Sequence, residues 1–182
     1  MAALQKRGDT IWFTTDGQMC TDTPYAACER LLPHYAFKYG ARAYEFWGID
    51  WLTYNPWEFG WHKYIMQSGK PGEKPMGTRY PNGDGYLAYP GAPFGYPGAV
   101  SSIRLEQARE GQEDYEYLYL LQQAEAAGRG GAAVRAALAQ ANRLVTIPND
   151  GGKYSTRILR RPDDVFVVKE ALGKAIESLN QR

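Results

Sequence analysis

Glu45, Trp47, Asp50, Trp51, Tyr54, Asn55 and Trp57 fall in one short run, Tyr44-Glu45-Phe46-Trp47-Gly48-Ile49-Asp50-Trp51-Leu52-Thr53-Tyr54-Asn55-Pro56-Trp57. Carboxylates and an amide set among flat apolar rings can hold a ligand that has hydrogen-bonding groups and an apolar face. The competing reading is that the rings fill the small core of a large loop, and for Trp57 and Trp61 that reading is preferred. Asp16, just after the first expected strand, is a further acid of the same kind. Asp84 lies between glycines in Asn82-Gly83-Asp84-Gly85 and reads as a turn residue, in a pattern that does not match a calcium loop.

Other acids are less suited to chemistry. Glu113 and Asp114 are adjacent within an expected helix, where neighbours diverge by about 100° and do not converge on one bond. The run Glu110 to Glu116 is better explained by pairs such as Arg109 with Glu113 on an exposed face. No catalytic residue is assigned. Cys20, Cys28, His34 and His62 lack the paired short spacing of a structural zinc site, so neither a metal site nor a cofactor is expected.

The elements that must position these residues come from a chain of 182 residues, 44% hydrophobic and 23% charged, long enough for one domain with a core. A formal net charge of +1 without a dense Lys/Arg run gives no footprint for nucleic acid or an anionic membrane, and neither is expected as a partner. No apolar run approaches the roughly 20 residues of a membrane span, and MAALQKRGDT lacks the apolar centre of a signal peptide. No compartment follows from this.

Ile11 to Thr15 is β-branched and aromatic and suits a short buried strand. Thr23 and Pro24 suit the start of a helix that Gly40 can end in a left-handed turn, with Ala27, Leu31, Leu32, Tyr35 and Tyr39 at helical spacing. Pro33 predicts a kink or a split in it. Ala43 to Ile49 reads as a second strand, and strand-helix-strand is the pattern of a parallel βαβ unit. Asp50 to Val100 shows no sustained period. Its turn signal at Asn82 to Gly85 and the strand-like Tyr86-Leu87-Ala88-Tyr89, stopped by Pro90-Gly91, predict an ordered loop with a hairpin inside it. Loops of this length are often functional. Three helices follow. The first is capped by Ser101 or Ser102 and runs to about Ala127, burying Leu105, Ala108, Tyr115, Leu118, Tyr119 and Leu121 before Gly128. The others cover about Ala132 to Val145 and Asp164 to Leu179.

Trp12-Phe13-Thr14-Thr15, Tyr39-Gly40 with Phe46-Trp47-Gly48, Asn82-Gly83-Asp84-Gly85 with Tyr89-Pro90-Gly91, and Ser102-Ile103-Arg104-Leu105-Glu106 through Arg109-Glu110-Gly111 to Glu113-Asp114-Tyr115-Glu116-Tyr117-Leu118 form an ordered series. With Lys169 to Ile176 as a closing helix, the series resembles the C-terminal region of glycoside hydrolase family 123 and its relatives, grouped as domain of unknown function 4091. The resemblance covers nearly the whole chain. It implies an α/β fold, the C-terminal part of a (β/α)8 barrel: the last two βα units, a long aromatic loop, then packed helices. A complete barrel needs about 250 residues. Residues 1–127 would then be a partial barrel segment that includes loop 50–100, and residues 128–182 a helical extension packed on it.

Loops after barrel strands lie on the face where active sites of this fold sit. The resemblance therefore implies a carbohydrate ligand, with Trp47, Trp51 and Tyr54 stacking on sugar faces and Glu45, Asp50 and Asp16 reaching hydroxyls. Glu45 departs from the apolar residue the family pattern leads one to expect; it shares a strand face with Trp47 and either points at the substrate or meets a buried cation. Family members, as the resemblance implies, remove N-acetylhexosamine with the help of the substrate's acetamido group and an adjacent Asp-Glu pair. This chain has no Asp-Glu dipeptide. Two readings follow: a C-terminal fragment of a glycoside hydrolase-like protein supplying binding walls without the catalytic pair, or a non-catalytic structural or interaction module sharing only the packing. Under the first, the chain alone is expected to be inactive and to need the missing N-terminal barrel part, or to self-associate.

Overall fold

A computed structural model describes residues 2–14, 27–46, 48–50, 56–57, 64–67, 76–79, 85–147 and 161–181. Short strands β1 (Trp12–Thr14) and β2 (Ala43–Glu45) pair in parallel, with Trp12 opposite Ala43, Phe13 opposite Tyr44 and Thr14 opposite Glu45. Between them runs helix α2 (Ala27–Tyr39), preceded in the chain by the five-residue α1 (Ala2–Lys6). This is the expected βαβ order, since parallel neighbours need a crossover rather than a tight turn. Gly40, at φ +63°, ends α2 as a left-handed residue. Pro33 lies inside α2, and the helix continues through it rather than splitting. Thr23 and Pro24, the expected helix start, lie outside the described residues.

β2 is shorter than the expected Ala43 to Ile49 because the chain leaves the strand pair after Glu45. Asp50 instead makes an antiparallel bridge with Tyr86, and Ile49 is exposed. Among its described residues the loop holds two antiparallel strand pairs. Strand β3 (Tyr64–Gln67) pairs with β4 (Met76–Arg79), a ribbon not foreseen, because Gly77 and the polar Thr78 and Arg79 hide its period. The second pair joins β5 (Ala88–Pro90) to β6 (Ala99–Ser101), turning through the short 3₁₀ segment Ala92–Phe94. Pro90, expected to stop the strand, is its last residue, a place where a missing N–H is tolerated.

Helices α3 (Ile103–Ala126), α4 (Gly131–Leu144) and α5 (Asp164–Asn180) follow, within a few residues of the expected bounds. Ser102 is the cap of α3: its Oγ accepts from the Leu105 N–H at 3.2 Å. One apolar cluster joins α2 to all three, through Leu31 and Tyr35, Leu118 and Leu121, Val134 and Leu138, and Val168 and Leu172. Each such fully buried side chain contributes about 1.5–3 kcal/mol. Tyr119, expected in the core, is 46% exposed; its neighbour Leu118 takes the inward place. The end of α4 is tied back to α2, where the Ile147 N–H donates to Tyr39 Oη at 2.8 Å and Lys38 Nζ donates to the Val145 carbonyl. The architecture is therefore a helix-rich α/β arrangement in which one parallel strand pair sits against a helical core.

Candidate functional site

The C-terminal ends of β1 and β2 place Thr14 and Glu45 side by side, as their register requires. Thr14 Oγ1 donates to Glu45 Oε2 at 3.2 Å, and both residues are exposed. Glu45 is thus a carboxylate at the surface and not one enclosed in the core. On the same strand the hydroxyl of the half-buried Tyr44 is pushed up by burial and stays neutral. Asp50, also exposed, is carried five residues on by a backbone held from below. Leu87 and Ala88 donate their N–H groups to the Ile49 carbonyl at 2.8 and 3.1 Å. Gly48 crosses Gly85 so closely that a Cβ on it would come within 2.9 Å of Gly85 Cα. Only glycine allows that crossing.

The start of α3 fixes this lower layer. Arg104 is buried; its Nε donates to the Tyr86 carbonyl at 2.9 Å and its Nη2 to Tyr89 Oη at 2.6 Å. Ser102 Oγ donates to the Leu87 carbonyl at 2.6 Å while capping its own helix. Replacing Arg104 with Met keeps the bulk but removes these bonds, leaving the carbonyl of the buried Tyr86 without its guanidinium donor. A loss of about 1–3 kcal/mol is expected, with faster hydrogen exchange over residues 86–90 than over α4. Uniform exchange across the chain would show that Arg104 does not anchor this layer.

Trp57, expected to fill a loop core, is 40% exposed; its indole N–H donates to the Pro90 carbonyl at 2.9 Å, and its ring meets Tyr89 and Phe94, each at a centroid distance of 4.8 Å. Trp47, Trp51, Tyr54 and Asp16, four of the six expected binding residues, lie outside the described residues, as does Trp61. The structure brings Glu45 to the strand end and Asp50 to the adjoining ledge.

A second group of charges, which sequence reasoning missed, lies between α2, α3 and α5. Arg30 donates to Asp114 from Nε at 2.9 Å and from Nη2 at 3.3 Å, and His34 Nε2 stands 3.3 Å from the same carboxylate. All three are at most 2% exposed. Lys169 of α5 reaches Glu110 at 2.6 Å and Asp114 at 3.7 Å. Burial alone would raise the Asp114 carboxyl. The hydrogen bonds from His34 and Arg30, with the Arg30 charge, outweigh it and hold the carboxyl below the usual range. Asp114 was expected on an exposed acidic face and is buried instead, because its carboxylate meets Arg30 and His34; Glu113 does lie on that face, with Arg109 2.8 Å away. The available signal was the i,i+4 spacing of Arg30 and His34, which puts two basic residues on one face of α2 beside Leu31. A His–Asp pair can act as a proton relay only where a substrate reaches it. This one is enclosed by three helices, so it binds helices together.

Among the described residues no three His, Cys, Asp or Glu side chains stand together as a metal site, and no helix is long and apolar enough to cross a membrane. The family model for the glycoside hydrolase 123 catalytic domain matches residues 17–121, more than half of the chain. No curated protein matches it.

Proposed function

The chain belongs to glycoside hydrolase family 123, and from that premise we propose that it contributes carbohydrate-binding walls to a glycosidase site for N-acetylhexosamine-type glycans, without the catalytic pair. The observation that carries the proposal is the pairing of Thr14 with Glu45 at the exposed C-terminal ends of two parallel strands, with Asp50 and the aromatic run directly following. In barrels built of βα units, that is the end of the sheet where substrates bind. The strand pair is read as the last two strands of such a barrel. Trp47, Trp51 and Tyr54 supply faces for the sugar's C–H surfaces, and Glu45, Asp50 and Asp16 accept from its hydroxyls. The general acid and its orienting partner belong to other sequence. Within the matched segment, Glu113 and Asp114 point to different surroundings, one exposed beside Arg109 and one buried with Arg30.

Hydrolysis needs two positioned groups across the scissile bond, or an acid plus a substrate acetamide held by a carboxylate. The purified 182-residue chain is accordingly expected to show no turnover of chromogenic β-N-acetylgalactosaminide or β-N-acetylglucosaminide. In the complete protein, Trp47→Ala and Trp51→Ala should each weaken substrate binding about tenfold with little change in Tm, while Trp61→Ala should lower Tm and leave binding alone. Equal destabilisation by all three with unchanged affinity would leave only a packing role. Turnover by the isolated chain that disappears in Glu45→Gln would overturn the non-catalytic assignment and make Glu45 the acid.

A further inference from the structure

The tip of the β5–β6 hairpin is chemically unusual for a surface turn. Residues 92–99 are all exposed, yet Gly91-Ala92-Pro93-Phe94-Gly95-Tyr96-Pro97-Gly98 contains no charged or amide side chain. Exposed turns are ordinarily rich in Asn, Asp and Ser. Here Phe94 and Tyr96 are 67% and 54% exposed. The backbone that carries them is well tied. Gly91 donates to Gly98 at 2.9 Å and its own carbonyl accepts from Phe94 at 2.9 Å and Tyr96 at 3.2 Å, while Gly95 turns at φ +72°.

Both rings are held in place from one side. Tyr96 lies on Gly91 and Gly98: a Cβ on the first would come within 2.7 Å of ring atom Cδ1, and one on the second within 3.1 Å of Cε1. Glycine at both positions lets the ring rest on the backbone with its opposite side toward solvent. Phe94 meets the Trp57 ring edge to face, at an interplanar angle of 81°, and Trp57 is itself fixed to the Pro90 carbonyl. Rings fixed before a ligand arrives lose little conformational freedom on binding it.

We infer that this tip is a second carbohydrate contact, where a neutral pyranose of the glycan stacks on Phe94 and Tyr96 beyond the strand-end site. The inference rests on the carbohydrate reading above and extends it. The lack of charge decides the ligand class: an anionic sugar or a phosphate would find no cation on the tip. Residues 91–98 themselves offer no charged side chain with which a protein partner's polar groups could pair. A neutral sugar can lay an apolar C–H face on such rings while its hydroxyls stay in water. The tip is also continuous with the strand end, through the bridge of Asp50 to Tyr86 and the bond from Trp57 to Pro90.

The test is a titration of the 182-residue chain, carrying 13C-labelled Phe and Tyr rings, with the β-linked trisaccharide of N-acetylglucosamine and separately with methyl β-N-acetylgalactosaminide. The Phe94 and Tyr96 ring signals are expected to move and saturate with the trisaccharide. The double variant Phe94→Ala, Tyr96→Ala should bind it at least tenfold more weakly at an unchanged Tm, and Tyr96→Phe should bind like wild type. If Trp47→Ala leaves this response intact, the tip binds glycan independently and the strand-end assignment is the one in error. If Trp47→Ala abolishes binding while the double variant retains it, the tip inference fails and the strand-end site stands. No binding by wild type at millimolar sugar overturns both. Ring signals that move on protein dilution without sugar identify a second copy of the chain as the occupant and overturn the inference.

Discussion

Asp114→Asn is expected to cost about 3–5 kcal/mol of folding stability, the usual result of removing one partner from a buried ion pair. The magnitude follows from what would be left behind. Arg30 is 2% exposed and turns both Nε and Nη2 toward this carboxylate. Without the negative charge, its guanidinium would stay enclosed between α2, α3 and α5 with Glu110, 3.6 Å away, as the remaining anion. The Arg109 pairs on the same helix are exposed, and solvent screening makes their loss far less costly. A pH dependence follows with a definite sign. The folded Asp114 carboxyl sits below its usual range, so its contribution is complete above the unfolded value of about 3.9 and is lost as pH falls through the folded one. Urea-unfolding midpoints measured across the acid range should therefore fall below about pH 4 in wild type. They should start lower and fall less steeply in Asp114→Asn. Matching acid limbs in the two proteins would mean that this carboxylate does not link protonation to folding.

That cluster also marks the limit of what was legible in the sequence. The βαβ order and the three C-terminal helices were readable because each rests on local signals: the β-branched and aromatic run at Trp12, Gly40 at a left-handed turn, Ser102 as a cap and Gly128 beyond a helix end. Asp114 was not, because its role depends on Arg30 and His34, which are more than 75 residues away in the chain. A local reading pairs it with its sequence neighbours and leaves it in solvent. The early exit of β2 escaped for the same reason: the partners of Ile49 and Asp50 are Leu87, Ala88 and Tyr86. Tyr119 shows a smaller failure, in which an aromatic beside Leu118 was counted into the core although helical geometry turns successive residues apart. Of the candidate site, Glu45 was expected inside a strand running on to Ile49, and its place at the strand end comes only from the early exit of β2. The Arg104 anchor under the loop was not legible either, since an arginine early in a helix reads as a surface residue until its acceptors are in view.

Gly111 and Gly173 give a paired prediction in which the same substitution acts in opposite directions. Helix propensity alone favours Ala over Gly by about 1 kcal/mol at either interior position. In α5, a Cβ on Gly173 meets nothing within 4 Å, and the residue has no positive φ, so Gly173→Ala should realise most of that gain, about 0.5–1 kcal/mol. In α3, Gly111 is buried where α2 passes over it. A Cβ there would stand 3.0 Å from both the Cα and the carbonyl carbon of Arg30, and closer still to its oxygen. Those are backbone atoms of a packed helix, which do not swing aside as a flexible side-chain end does. The helices must separate, and the contact they loosen is the one carrying Arg30 to Asp114. Overpacking of this kind costs about 1–3 kcal/mol and outweighs the propensity gain, so Gly111→Ala is expected to lower the urea midpoint while Gly173→Ala raises it. A rise for both would mean that α2 and α3 can part without cost, and would remove the physical basis for the large effect predicted at Asp114.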